Sequence, residues 1–117
     1  AAMIRLKPGV RVGGLRSEIF FAVQVAEGVW SRHGAEELVI SGGMEGKHMR
    51  GSEHYTFLAV DLRTKDLGTV YDRSPARNAC IELQGRLGAD YDVIFESEGK
   101  ENEHAHIEFD PKEPYGG

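Results

Sequence analysis

The sequence predicts an α+β fold, a small, mostly antiparallel sheet carrying two main helices. Three observations predict it. Two stretches repeat apolar residues at helical spacing, several short segments carry the apolar and β-branched residues of strands, and their order is helix, two strands, helix, hairpin. With 117 residues the chain suits a single domain over 1–117. A domain of this size buries roughly two-thirds of its unfolded surface, so its core needs neither disulfide nor metal to exist.

Residues 4–12 (IRLKPGVRV), interrupted by Pro8 and Gly9, read as a weak strand or docking arm. Ile19, Val23, Ala26 and Trp30, widened by Phe20 and Ala22, give a helix over about 16–33. Ser17 or an upstream glycine starts it, Gly34 ends it, and Arg32 and His33 complement its negative pole. Residues 37–41 (ELVIS) read as a strand, 42–53 as a glycine-rich polar loop and 57–62 (FLAVDL) as a second strand. Ser74 and Pro75 read as an N-cap and first helical residue, Ala76, Cys80, Leu83 and Leu87 form the apolar stripe, and Gly88 closes that helix. Residues 91–95 (YDVIF) and 104–109 (HAHIEF) are the strands of a hairpin with its loop at 96–103, before an irregular tail.

Composition narrows the function. Asp and Glu number 19 against 14 Lys and Arg, for a net charge of -5, and the basic residues are scattered. That argues against binding nucleic acid or an anionic membrane. No apolar run approaches the roughly 20 residues of a membrane span, and no signal peptide is read at the N-terminus. A lone Cys80 excludes an intramolecular disulfide and fits a reducing compartment. Nothing demands an oligomer, so a monomer is expected.

Four of the five histidines fall in two short segments, GKHMRGSEHYTFLAVD (46–61) and EHAH (103–106). Neutral imidazoles and carboxylates are the ligands that catalytic zinc sites use. Strand periodicity puts His104, His106 and Glu108 on one face, and Asp61 opposite to Val60 and Leu62, pointing out of the core. His54 lies seven residues before Asp61. On residues alone, surface histidines and a solvated aspartate remain an alternative.

The run Ser52-Glu53-His54-Tyr55-Thr56-Phe57-Leu58-Ala59-Val60-Asp61 resembles the SxHxxGxAxD motif of zinc D-alanyl-D-alanine carboxypeptidases, L-alanyl-D-glutamate endopeptidases and hedgehog signalling domains. Glu103-His104-Ala105-His106 resembles their second motif, with an acidic residue three positions before the last ligand. The wording is most similar to small phage-encoded lytic members, and the resemblance spans about 38–111. It implies a hedgehog-like fold with Zn2+ bound by His54, Asp61 and His106. It makes Glu103 the general acid/base and gives His104 a part in holding the oxyanion. Glu101 competes for the base role, but the spacing of Glu103 to His106 is the one that matches the motif.

The chain departs from the pattern twice. Phe57 stands where the family has glycine, and Met44 follows Ser41-Gly42-Gly43 where relatives often carry a carboxylate-gripping arginine. Lys47, Arg50 or Arg63 is left to supply that positive charge, and loss of the clamp favours endopeptidase over carboxypeptidase action. His48 is either a solvated loop residue or a substrate contact, Glu108 a salt-bridge partner or orienter, and Ser52 a support for the loop before His54. His33 reads as a surface residue, Cys80 and Trp30 as core. The implied activity is cleavage of peptidoglycan stem peptides by a phage or prophage endolysin, held in the host cytoplasm before release to the wall, or by a phage-associated component. The alternative is a catalytically inactive, zinc-stabilised binding or phage structural domain.

Overall fold

The computed structural model describes residues 3–43 and 58–112. Its elements are β1 (Met3–Leu6), α1 (Ser17–Arg32), β2 (Glu37–Gly42), β3 (Ala59–Arg63), α2 (Ser74–Leu87), β4 (Tyr91–Glu96) and β5 (His104–Phe109). The five strands form one mixed sheet in the order β1-β2-β3-β5-β4. β1 pairs with β2 in parallel, and the other three pairings are antiparallel. The α+β class and the two helices match expectation, while the expected weak strand within 4–12 is a short parallel edge strand. Among the described residues, no helix is long and apolar enough to cross a membrane.

Apolar periodicity decides which way each element faces. The α1 residues Ile19, Ala22, Val23, Ala26, Val29 and Trp30 are buried, as are Ala76, Ala79, Cys80 and Leu83 of α2. They form one core with the sheet residues Leu38, Ile40, Val60, Leu62, Ala105, Ile107 and Phe109. Both helices therefore cover one face of the sheet, and the alternate strand residues make up the other face, covered at Val39 of β2 and open where Asp61, His104 and His106 stand. Trp30, expected in the core, is fully buried and donates its indole N–H to the Arg63 carbonyl at 3.1 Å, tying α1 to the end of β3. Cys80 is core as well; burial, and then the Glu103 charge, push its thiol up to about 12.

Local signals need two adjustments. The α2 helix begins at Ser74, one residue before Pro75, with Arg73 at the N-cap position and no side-chain cap; the Asp72 carboxylate accepts the Ser74 N–H at 3.0 Å from just outside the helix. His33 is not a free dipole partner: its Nε2 lies 2.8 Å from Glu82 Oε1, which links the end of α1 to α2.

Candidate metal centre

The antiparallel register of β3, β5 and β4 turns the alternation of three short sequences into a grid. Asp61 pairs with His106, and His106 with Ile94; Arg63 pairs with His104, and His104 with Glu96; Ala59 pairs with Glu108, and Glu108 with Asp92. Each row crosses the open face. Carboxylates and imidazoles that lie far apart in the chain thus become cross-strand neighbours, within reach of one another's side chains.

The closest contact is in the first row. His106 Nδ1 lies 2.8 Å from Asp61 Oδ1, and His106 Nε2 lies 3.2 Å from Glu108 Oε1. The hydrogen bond to Asp61, helped by Glu108 against the cost of burial, raises the His106 imidazole above its ordinary value. His104 Nε2 sits 4.0 Å from the same Asp61 oxygen and 2.9 Å from Glu96 Oε1, while its Nδ1 meets the Asn102 carbonyl at 2.7 Å. Imidazole nitrogen and carboxylate oxygen are donor types that zinc takes, and this face holds both. This imidazole nitrogen and carboxylate oxygen stand at hydrogen-bond distance, 2.8 Å, and would have to part to the ~3.3 Å that separates two ligands of a tetrahedral ion with bonds of ~2.0 Å. The outer carboxylate on His106 is the kind of partner that fixes a ligand ring.

Asp61, His104 and His106 thus share one face. Arg63 lies on that face too, but its guanidinium donates to Asp66 at 3.0 and 2.9 Å and to Glu37 at 3.3 Å, so its charge is already matched. His54, His48 and Arg50 lie outside the described residues, as do Met44, Lys47, Ser52 and Phe57.

Glu103, expected as the general acid/base, lies apart from these three side chains. It precedes β5 by one residue and continues the buried series of Ala105 and Ile107, on the helix side, at 3% exposure. Burial alone would push its carboxyl up. Hydrogen bonds from Arg73, the Thr64 hydroxyl and the Gly99 N–H override this and hold it down at about 2. Arg73 is equally committed. Nε and Nη2 donate to Glu103, Nη1 donates to the Leu67 and Thr69 carbonyls at 2.7 and 3.0 Å, and Nη2 also donates to the Thr64 carbonyl at 3.0 Å. All five guanidinium donors of Arg73 have acceptors here, so nothing remains to grip a ligand. A cleft of about 460 Å³, lined by Lys65, Thr69, Arg73, Lys100 and Glu101 among others, opens beside this network. The competing base candidate, Glu101, is exposed in the hairpin loop of that cleft.

Sequence reasoning missed Arg73 and Thr64, but the side that Glu103 takes was readable. The period that puts 104, 106 and 108 on one face puts 103 with 105 and 107 on the other. A third acidic group, Asp92, Glu108 and Asp110, brings one oxygen from each residue within 4.8 Å of the others. Lys112 already sits on it, with Nζ 3.2 Å from Asp92 and 3.5 Å from Asp110. Comparison of the chain with family models, curated proteins and solved structures returns no match.

Proposed function

We propose that the open face is a zinc site and that the chain is a zinc-dependent peptidase acting on peptidoglycan stem peptides, as one hedgehog-like catalytic domain of the phage-lytic type. One observation carries the reading. Asp61 and His106, one from each of the two motifs and 45 residues apart in the chain, meet across β3 and β5 at 2.8 Å. With His54 as the third protein ligand, the set has the imidazole and carboxylate composition of a catalytic zinc site.

A bound zinc ion supplies Lewis acidity, polarising the scissile carbonyl and acidifying the attacking water. The chain supplies the rest. Glu108 keeps the His106 ring turned toward Asp61. His104 lies beside them, its Nδ1 at 2.7 Å from the Asn102 carbonyl and its Nε2 at 2.9 Å from Glu96, and the edge of its ring offers a polar group to a developing oxyanion. Proton transfer falls to Glu108 in this reading, because it shares the face of the ligand pair and Glu103 does not. Ile94, 45% exposed in the same row as Asp61 and His106, offers an apolar surface to a small side chain such as an alanyl methyl.

The burial of Glu103 favours a second reading, a zinc-stabilised binding domain without turnover. Mass spectrometry of purified peptidoglycan, incubated with zinc-loaded and chelator-stripped protein on several wall chemotypes, separates the two. The peptidase reading expects metal-dependent fragments that disappear in His106→Ala. Protein that holds one zinc and yields no fragments on any chemotype sinks it and leaves the binding domain.

A further inference from the structure

The orientation of Asp61 has a cause on the neighbouring strand. Between the pairs Ile40–Leu62 and Gly42–Asp61, β2 advances two residues while β3 advances one, so Ser41 is the extra residue of a bulge. Bulges re-aim side chains, and this one brings Gly42 level with Asp61. A Cβ at position 42 would stand 2.7 Å from Asp61 Oδ2, 3.2 Å from its Cβ and 3.3 Å from its Cγ. The φ of Gly42 lies outside the left-handed region, so conformational freedom does not explain the glycine. What position 42 requires is empty space, and the Asp61 carboxylate fills it. Gly43, one residue on, differs: a Cβ there would strike the Arg11 carbonyl oxygen at 2.4 Å, a clash with main chain.

We infer that Gly42 is a positioning residue for the metal ligand Asp61. The slot left by its missing side chain receives Oδ2 and holds the carboxylate rotamer that aims Oδ1 at His106. A methyl group at 42 displaces Oδ2, and because the carboxylate is rigid, turning it away also moves Oδ1 from its place 2.8 Å from Nδ1. The inference rests on the proposed zinc site for its functional meaning, but the geometric claim holds for metal-free protein as well.

The test compares full-length wild type, Gly42→Ala, Asp61→Ala and the double variant. Zinc affinity is read by competition with a chromophoric chelator, and the 15N chemical shift of His106 Nδ1 is read in metal-free protein at one fixed pH. Gly42→Ala should weaken zinc binding about tenfold or more, the scale of losing a ligand-orienting partner. It should also move the Nδ1 shift toward that of Asp61→Ala. In the Asp61→Ala background the same substitution should change neither quantity further, because the atoms it displaces are gone. Wild-type affinity and an unmoved shift in Gly42→Ala overturn the inference. If wild type binds no zinc, the metal reading fails, and the Nδ1 shift alone decides: moved supports Gly42 as the positioner of Asp61, unmoved overturns it. If Gly42→Ala does not fold, folding of the double variant supports the inference, and its failure to fold overturns it.

Discussion

Glu103 and His104 are neighbours in sequence, yet their side chains enter opposite worlds. On the helix side, Glu103 meets Arg73 and Thr64 in a network whose carboxylate and hydroxyl are almost fully buried. On the open face, Asp61, His104 and His106 keep about a quarter of their side-chain surface in contact with solvent. Each side holds a carboxylate against a nitrogen group, but burial changes what the carboxylate does. A carboxylate held by an arginine, a hydroxyl and an amide is a rigid joint, tying the hairpin loop to the β3–α2 connection. A carboxylate facing an imidazole at the surface stays in contact with solvent.

The sharpest way to test that contrast is to remove one charge from each side. Glu103→Gln leaves the Arg73 guanidinium buried without its counter-charge, and breaking a buried pair in this manner costs roughly 3 kcal/mol or more. Urea unfolding of metal-free protein should show that loss. Asp61→Asn, which breaks a half-buried surface contact, should cost less than about 1 kcal/mol while abolishing zinc binding. Should Glu103→Gln prove as stable as wild type and lose only turnover, the joint would instead be catalytic machinery and the comparison would collapse.

The two sides also respond to pH with opposite sign. Glu103 is held at about 2, below its ordinary 4.5. Its contribution is therefore present above the unfolded value and is lost as pH falls from about 4.5 through about 2. His106 is raised above its ordinary 6.5, so its contact with Asp61 stabilises fully below 6.5 and is lost as pH rises through the folded value. Unfolding free energy of metal-free protein should fall at both ends of the range. Glu103→Gln should flatten the acid limb alone, and Asp61→Asn the limb above pH 6.5 alone. An acid limb that survives in Glu103→Gln would assign it to other carboxylates.

Much of this architecture was legible from periodicity. The stripe from Ile19 to Trp30 marked α1, and the alternation in HAHIEF placed 104, 106 and 108 together on the face they share. The side that Glu103 takes was equally readable, but motif spacing along the chain competed with strand period and outweighed it. Arg73 and Gly42 were legible only in part. Arg73 stands before an N-terminal helix signal and gives no sign of reaching Glu103, 30 residues on. Gly42 reads as a turn residue in Ser-Gly-Gly, because a bulge is a property of two paired strands and the pairing of β2 with β3 is not written in either segment alone. Pairing partners, not local propensity, created the slot for Asp61.

The smallest expected effect refines the open-face side of the comparison. Glu96 contacts His104 Nε2 at 2.9 Å, but its side chain is 47% exposed, so water can replace it. Glu96→Gln should therefore change stability by no more than about 0.5 kcal/mol. The His104 ring should keep its orientation, since the Asn102 carbonyl holds Nδ1 at 2.7 Å from within the same chain segment. Chemical shifts of the His104 ring and the urea midpoint check both points. A shift change confined to Nε2, with Nδ1 unmoved, is the pattern of a ring anchored by backbone and only decorated by Glu96. If both nitrogens move and stability drops by more than about 1 kcal/mol, the open face is itself a mutually dependent network. Its difference from the Glu103 joint would then be one of degree.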